Sequence, residues 1–308
     1  MTFIEAVVRD VRGVWSTTLL WTVLPLIPFI VAEQLRPVGA RPRWSDYATN
    51  ILINLSTVVL TVPSGITAAR CGGWLRAHLP WSPLAFSFAT LRDLPHGGRA
   101  LAFMAMVLAP LFLHDLWFYW AHRLEHAIPL LWEFHKVHHS DRNMNCSTFA
   151  RDQFLQVVWR AFFPLFTLAL VLDLTPTEAG QCAFYSSLFV VLWTMFYHSS
   201  IRVRLPWLDR MLVTPQVHRI HHAAEGDGSS SNFADFFPLF DVLFGTFRRP
   251  GRDEFPATGL PDAPAHRSMF TAQVGPLLGM AKKLGFRRLP RGDHRAPAPL
   301  GSLPANGR

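Results

Sequence analysis

The chain has 308 residues, of which half are hydrophobic and only 16% are charged. A soluble domain usually carries about 25% charged residues, so this composition indicates a protein embedded in lipid. The net charge is +8, but eleven Lys and Arg residues lie from Arg248 onwards, against four acidic residues. A nucleic-acid-binding protein would carry a basic face with interleaved aromatic residues on a soluble fold, so the distribution argues against that class. The three cysteines lie far apart without a CxxC pair, which argues against a disulfide framework and a thiolate metal site.

Residues 1–99 predict a membrane hairpin followed by an interfacial segment. A helix needs about 20 apolar residues to cross the hydrocarbon. Residues 13–32 and 47–69 both meet this length without a charged residue. No small-x-small cleavage site precedes Glu33, so we interpret the first segment as a retained span and not as a cleaved signal peptide.

The middle of the chain, residues 100–250, predicts a second hairpin. Residues 154–172 and 179–197 are apolar and are separated by the turn sequence DLTPTEAG. Residues 100–113 are apolar and short for a full span, but they continue as a helix into HDLWFYWAHRLEH. If 100–121 spanned the membrane, the Arg-bearing loop 70–99 would lie outside, against the positive-inside rule, so we expect 100–121 to be only partly embedded. The chain therefore predicts about four spans rather than five.

The basic, Pro-rich tail, residues 251–308, sets the expected orientation. It lacks long apolar runs, and its last twenty or so residues have the composition of a disordered segment. By the positive-inside rule the tail lies in the cytoplasm. Because a hairpin returns the chain to its starting side, segments 114–150 and 198–247 should share one cytoplasmic face. We therefore expect an all-α polytopic bundle in a bacterial inner membrane, with a helical cap on the cytosolic side.

Ten of the fourteen histidines fall within those two segments. They form the pattern HxxxH at 122–126 and HxxHH at both 135–139 and 218–222. Residues i, i+3 and i+4 lie on one side of a helix, so each pattern directs its imidazoles one way. A single histidine is most often a core or interfacial residue, but this interpretation does not fit three such patterns on one membrane face. Neutral imidazole binds Fe, Zn, Cu and Ni, and eight or nine ligands suit two ions.

The residue types indicate which metal chemistry to expect. A structural zinc site closes with four ligands and usually recruits cysteine, and these patterns contain none. An all-histidine two-metal site at the edge of a bilayer favours iron that activates O₂, although ligand type alone leaves zinc open. His114 lies about 12 Å of helix rise from His122, so it cannot share a metal with His126. It is expected at a second metal or as a hydrogen-bond partner.

Four separated pieces of the sequence resemble the fatty acid hydroxylase / sterol desaturase superfamily of membrane di-iron enzymes. They are HDLWFYWAHRLEH, LWEFHKVHHS, YHSS and VTPQVHRIHH, the last followed by SNFADFFPLFDVLFGTF. The resemblance covers about residues 110–250 and implies a cytosolic dinuclear iron centre and O₂-dependent oxidation of a lipid C–H bond. Carried over position by position, it implies nine metal ligands: His122, His126, His135, His138, His139, His198, His218, His221 and His222. It leaves His114 open, because relatives vary there.

The resemblance implies further residues near the site, each with a plainer alternative. Asp115 is either a partner that orients a ligand imidazole or an acidic residue at a helix start. Three asparagines either line the site or form turns: Asn143, Asn145 and Asn232. Five aromatic residues either wall a lipid tunnel or anchor the chain at the membrane interface: Trp117, Phe118, Tyr119, Trp120 and Trp132.

The sequence also departs from the family pattern after the second histidine box. Many relatives continue with Arg and then a His-Pro pair, whereas here Arg151 is followed by Asp152 and Gln153. A further insert, AAEGDGSSS, separates the last box from Asn232. Both departures leave the substrate subclass open. Neither of them affects the prediction of the metal site.

The leading functional hypothesis is a lipid hydroxylase, and a desaturase on the same scaffold is the closest alternative. A membrane metal-handling protein without redox turnover is a distant alternative. A transporter would place its ligands along the spans near the bilayer midplane, whereas most histidines here lie past the apolar runs. The chain has no GxGxxG fingerprint and no haem or flavin domain. We therefore expect electrons from a separate donor protein of the cytochrome b5, ferredoxin or rubredoxin type with its reductase.

Overall fold

The computed structural model describes residues 24–79, 95–171, 177–224, 230–261 and 266–285. Within these ranges the structure is helical, which confirms the all-α prediction; no β-strand occurs there, and two isolated bridges join Pro37 to Ile201 and Ala223 to Thr258. The helices are α1 (Leu26–Leu35), α2 (Trp44–His78), α3 (His96–Ala127), α4 (Pro129–His139), α5 (Phe154–Val171), α6 (Thr177–His198), α7 (Pro215–His221), α8 (Leu239–Leu243) and α9 (Met269–Lys283), with a 3-10 turn at Thr148–Ala150. Most of the predicted first span, the turn of the second hairpin and the predicted disordered tail end lie outside the described residues.

Helix α3 is the one helix in the described ranges that is long and apolar enough to cross a membrane. Its stretch Gly98–Ala127 reaches a mean hydropathy of 1.8, and only 12% of its most apolar window is buried. The core helix of a soluble protein would bury most of that window, so the outward apolar surface favours contact with lipid. The helix runs without a break past Pro110 into the histidine-bearing segment and ends at Ala127, which agrees with the predicted continuation of the helix. The partial embedding of residues 100–121 stays a prediction.

The other predicted spans correspond to helices of different length. Residues 47–69 lie inside α2, which extends to His78, and the second hairpin corresponds to α5 and α6. Their apolar stretches in the described ranges are shorter, such as Phe154–Thr167 and Leu188–His198. The four-span arrangement therefore stays a prediction.

Helices α2 and α5 pack against each other more extensively than any other pair in the described ranges. Gly72 of α2 faces Phe166 of α5 so closely that a Cβ on Gly72 would overlap the backbone oxygen of Phe166. It would also lie 3.0 Å from Cβ of Ala169. The absence of a side chain at Gly72 thus lets the two backbones approach.

A buried glutamate joins the helix ends near the histidine patterns. Glu33 at the end of α1 accepts hydrogen bonds from the backbone N–H of Cys146 at 2.7 Å and of Ser200 at 2.6 Å. It also accepts one from the hydroxyl of Tyr47 in α2 at 2.6 Å. Cys146 follows α4 and Ser200 follows α6, so this carboxylate holds four parts of the chain together.

A buried arginine fixes the end of α4. Arg151 donates to the backbone oxygen of Val137 at 3.1 Å and to Oγ of Ser140 at 3.1 Å. It also donates to Oδ1 of Asn50 at 2.8 Å and to the backbone oxygen of His266. The arginine that follows the second histidine box therefore ties α4 to α2 and to the segment before α9.

We expect Gly72→Ala to lower the thermal stability of the protein, because overpacking against backbone atoms costs about 1–3 kcal/mol. Gly73→Ala is the matched control, since a Cβ at Gly73 meets no atom within 4 Å. Ala is the better helix former, so Gly73→Ala should be neutral or stabilising by up to about 1 kcal/mol. Unfolding temperatures of the purified proteins in detergent would check this, and equal stability of the two variants would contradict the close packing.

Candidate metal centre

Nine histidine side chains from four helices converge in two groups, and in each group the candidate nitrogen atoms lie within 4.8 Å of one another. The five-histidine group contains His122, His126, His135, His139 and His221. The four-histidine group contains His138, His198, His218 and His222. These are the nine residues that the resemblance implies as ligands, and their ligation of a metal stays a prediction.

The local sequence explains how the short helices present their histidines. Helix α4 begins with Pro129, and helix α7 begins with Pro215, at a position where proline is preorganised and its missing N–H costs nothing. The hydroxyl of Thr214 caps α7 by accepting from the N–H of Val217 at 3.4 Å. In turn it donates to Oδ1 of Asp209 at 2.7 Å. Both helices thus start at a defined residue, which sets the direction of the HxxHH side chains on the following turn.

In the five-histidine group, His126 lies at the centre of the contacts. Its ring centroid is 4.8 Å from that of His135, 4.7 Å from that of His139 and 4.8 Å from that of His221. Nε2 of His221 lies 3.1 Å from Nε2 of His139, which lies 3.0 Å from Nε2 of His135. The Nε2 atoms therefore point into one shared volume.

The four-histidine group has the same arrangement. Nε2 of His198 lies 3.2 Å from Nε2 of His138 and 3.0 Å from Nε2 of His218. Nε2 of His222 lies 3.1 Å from that of His218. The two groups adjoin, because the rings of His139 and His222 stack with centroids 4.3 Å apart.

Backbone carbonyl groups determine which ring nitrogen carries the proton in three of these histidines. Nδ1 donates to the oxygen of Phe233 in His122, to that of Thr194 in His198 and to that of Ser231 in His221, each at 2.8 Å. A carbonyl oxygen only accepts, so each Nδ1 holds the proton and each Nε2 presents a lone pair. The Nε2 atoms of these three histidines therefore offer lone pairs that a metal ion can accept.

Burial keeps these imidazoles neutral, which is the form that binds metals. It lowers the pKa of His221 to about 4, and it holds the pKa values of His138 and His218 well below the usual range. Repulsion from His198 adds to the lowering of the pKa in His138 and His218. Nε2 of His122 and of His126 is buried without a hydrogen-bond partner in the described part of the chain. The donor set therefore fits two metal ions, one in each group.

His114 and Asp115 lie outside both groups. Nε2 of His114 is 3.5 Å from Oδ2 of Asp235. The carboxylate of Asp115 accepts from the backbone N–H of Asp235 at 2.7 Å and of Phe237 at 2.6 Å. The hydrogen bonds of Asp115 thus go to backbone and not to a ligand imidazole, and they hold the segment that presents the oxygen of Phe233 to His122.

The hydrogen bonds of the three asparagines go to groups other than the nine histidine side chains. Asn143 donates to Oδ2 of Asp46 at 3.1 Å, and Oδ1 of Asn145 accepts from the N–H of Ser147 at 3.0 Å. Asn232 has a φ of 59°, in the left-handed region. Its amide donates to the backbone oxygen of Val217 at 3.1 Å, so it fixes α7 against the following loop.

The two residues after Arg151 differ in their relation to the metal centre. Oδ1 of Asp152 lies 3.8 Å from Nδ1 of His138, and burial raises the pKa of Asp152 to about 6. Gln153 donates to the backbone oxygen of Gln273 in α9 at 3.2 Å. Asp152 therefore faces the four-histidine group, whereas Gln153 anchors α9.

Sequence reasoning missed a buried ion pair beside the five-histidine group. Oε2 of Glu125 lies 3.2 Å from Nδ1 of His135, and the side-chain amide of Gln156 donates to the same Nδ1 at 2.8 Å. Arg160 donates through Nε to Oε1 of Glu125 at 2.9 Å and through Nη2 to Oε2. Gln156 donates to Oε2 of Glu125 at 3.1 Å. The sequence feature that could have indicated this ion pair is Arg160, a single charged residue within an apolar segment.

Comparisons with known proteins agree with this geometry. Residues 107–246, which include all nine histidines, match the fatty acid hydroxylase family model. The alkylglycerol monooxygenase of Homo sapiens is 30% identical over 135 residues, which are 43% of this chain and 28% of that protein. An ornithine lipid hydroxylase of Rhizobium tropici is 28% identical over 149 residues, which are 47% of this chain and 43% of that protein.

A third relative is a Delta(7)-sterol 5(6)-desaturase of Aspergillus fumigatus, which is 24% identical over 152 residues, or 44% of this chain and 46% of that protein. The chain thus spans less than half the length of each of these three relatives. No solved structure matches the chain significantly.

Removing one histidine from either group should remove one metal ion. We expect about two ions per chain in the wild type after loading with ferrous iron, and about one in His126→Ala or His138→Ala. His78→Ala is the control, because His78 is exposed and lies outside both groups. Metal analysis of the purified proteins checks this, and full metal content in both group variants would contradict the assignment.

The Glu125–Arg160 pair generates a separate prediction for stability. Glu125→Ala leaves the guanidinium of Arg160 without its partner, which costs about 3–5 kcal/mol for a buried pair. Replacing both residues by leucine removes the stranded charge and should recover most of this loss. Unfolding of the metal-free proteins in a double-mutant cycle measures it. A double variant as unstable as the sum of the single changes would show that the pair is not coupled.

Proposed function

We propose that this protein, whose residues 107–246 belong to the fatty acid hydroxylase / sterol desaturase superfamily, is a membrane oxidoreductase that hydroxylates a lipid C–H bond with O₂. The observation that carries this proposal is the pair of buried histidine groups at the end of the apolar helix α3. Two iron ions held by these nine histidines would supply the activation of O₂ and the removal of hydrogen from an unactivated C–H bond.

The residues around the five-histidine group exclude water from the proposed reaction volume. The ring of Phe233 lies 5.6 Å from that of His122 and 5.3 Å from that of His126. The ring of Trp132 lies 5.0 Å from that of His126 and 5.4 Å from that of His139. A dry environment of this kind protects reactive species from side reactions with water.

A groove between α3 and α5 supports a hydrocarbon chain as the substrate. It has a volume of about 230 Å³ and an almost wholly apolar lining: Trp117, Phe118, Trp120, Ala121, Leu124, Trp159, Phe163 and Pro164, with Arg160 as the charged residue. The guanidinium of Arg160 lies 4.7 Å from the ring of Phe118, and Nη2 lies 3.4 Å from Nδ1 of His135. Arg160 thus stands between the groove and the five-histidine group.

The five aromatic residues named in the sequence analysis lie in three different environments. Trp117, Phe118 and Trp120 line the groove. Tyr119 is buried, and its hydroxyl lies 3.0 Å from Oγ1 of Thr246, so it belongs to the core. Trp132 lies against the histidines. The groove opens on the face of α3 whose apolar side chains are exposed, including Leu124. A lipid chain could therefore enter sideways from a membrane.

We place hydroxylation before desaturation because the two relatives with the higher identity are a monooxygenase and a hydroxylase. The desaturase alternative keeps the same histidines. Metal handling without turnover is less well supported, since the histidine groups gather at helix ends and not along the length of the helices. As part of this proposal, electrons come from a separate donor protein on the cytoplasmic side of a bacterial inner membrane, where the protein meets its membrane lipid.

Reaction of the iron-loaded protein in membranes with lipid extract, a chemical reductant and ¹⁸O₂ tests the proposal. We expect a lipid product that carries ¹⁸O in a new hydroxyl group. An unsaturated product without the label would favour the desaturase alternative. Bound iron with O₂ consumption but without any changed lipid would contradict both activities.

A bulky side chain in the groove should slow the reaction without changing metal content. We expect Leu124→Trp to lower kcat/KM for a long-chain lipid by about tenfold or more, because the chain loses apolar contact space. Leu101→Trp is the matched control, since Leu101 is an exposed leucine of the same helix outside the groove. Equal kcat/KM values for the two variants would show that the chain does not bind there.

A further inference from the structure

A second cavity, of about 360 Å³, lies beside α7 and differs in character from the apolar groove. The loop before α2, the loop after α4, the residues after α6 and residues 255–257 enclose it. Its polar lining includes Arg142, Asn143, Ser200, Arg202 and Arg219. None of the residues that line it is acidic, so three guanidinium groups surround one volume.

Two of the arginines are held at the rim by contacts that leave their charge available. The guanidinium of Arg202 lies 4.9 Å from the ring centroid of Phe255. Arg142 donates weakly to the backbone oxygens of Leu260 at 3.4 Å and Pro261 at 3.3 Å. Stacking and carbonyl contacts orient a guanidinium without neutralising it.

The third arginine is buried and incompletely bonded. Arg219 is only 8% exposed, and Nε donates to the backbone oxygen of Pro256 at 2.8 Å. Nη1 is buried and has no hydrogen-bond partner among the residues that the structure describes. A buried guanidinium N–H without an acceptor is unfavourable, so it indicates a ligand that accepts from it.

The nearest buried carboxylates do not fill this role. Asp141 and Glu33 lie close enough to act on Arg219 electrostatically, but neither lines the cavity. Oδ2 of Asp141 accepts from Asn50 at 3.0 Å and from Thr148 at 2.7 Å. The oxygens of Glu33 accept from the three groups described above. Both carboxylates are therefore engaged with donors other than Arg219.

We infer that this cavity, termed here the arginine pocket, binds an anion that carries a phosphate group. Three converging guanidinium groups suit a ligand with about two negative charges and several acceptor oxygens better than a single carboxylate. Planar guanidinium forks match phosphate oxygens in pairs. The volume and the apolar ring of Phe255 leave space for an organic group attached to the phosphate. This inference does not depend on the metal or on the proposed oxidation.

The position of Arg219 gives such a ligand a structural consequence. Arg219 lies in α7 between His218 and His221. An anion on Nη1 would complete the hydrogen bonding of the turn that supplies ligands to both histidine groups. The phosphate has two possible sources, the headgroup of a lipid or a soluble phosphate ester, and they share the same recognition chemistry.

Calorimetric titration of the purified full-length protein in a neutral detergent tests this inference. One arm uses inorganic phosphate, and the other uses dihexanoyl phosphatidic acid. We expect saturable binding of at least one probe, and a loss of about tenfold or more in affinity in the double variant Arg142→Gln/Arg202→Gln, because each charge-assisted bond contributes strongly. Both residues are exposed, so this variant avoids the folding risk of changing Arg219. Arg210→Gln is the control, because Arg210 is an exposed arginine outside the pocket.

The outcomes separate the alternatives. Binding of phosphatidic acid but not of inorganic phosphate assigns the pocket to a lipid headgroup, and comparable binding of both assigns it to the phosphate group alone. Saturable binding that Arg142→Gln/Arg202→Gln weakens and Arg210→Gln does not supports the pocket. No saturable binding of either probe, or equal affinity in all three proteins, overturns it. The measurement needs no catalytic turnover, so failure of the proposed oxidation would not affect it.

Discussion

The constraint on which this structure depends is a polar core built from histidine side chains. Nine imidazoles occupy the place where four helix ends meet, and their burial disfavours the protonated form. A hydrophobic core would be stabilised by contact alone. Here ring nitrogens lie about 3 Å from one another, so a metal ion bound between them would link packing to metal binding and would add to the free energy of folding.

Carboxylates that bind backbone, and not metal, provide the rigidity that this core requires. Asp241 accepts from the N–H groups of Phe233 at 2.8 Å and Ala234 at 3.0 Å, and Asp115 accepts from the next residues of the same segment. That segment presents the backbone oxygen of Phe233 to Nδ1 of His122. Asp241 and Asp115 thus help to determine which ring nitrogen of His122 carries the proton, although neither carboxylate contacts the imidazole. They act through the backbone of the segment that contains Phe233.

Eight of the nine candidate ligands stand in local sequence patterns, and the ninth, His198, was identified through the family resemblance. HxxxH and HxxHH patterns place side chains on one face of a helix, and this grouping does not depend on how the helices pack against one another. Glu125 and Arg160 could not be paired in this way, since 35 positions separate them and their contact depends on how α3 crosses α5. The arginine pocket could not be predicted for the same reason, because its residues come from four separate loops and from α7. The continuation of α3 from the apolar run into the histidine-bearing segment could be predicted, because no proline or glycine interrupts the sequence between Pro110 and Ala127.

The continuity of α3 has a geometric consequence for chemistry on lipids. The same rigid rod carries the lipid-facing surface and two of the imidazoles, His122 and His126. Its rise of about 1.5 Å per residue therefore fixes the depth of the histidine groups relative to the hydrocarbon. One inserted residue in the rod would turn the imidazoles by about 100° and shift their depth at once. Under the proposed function, the length of this helix would determine which carbon of a membrane-held chain, counted from the bilayer surface, reaches the histidines.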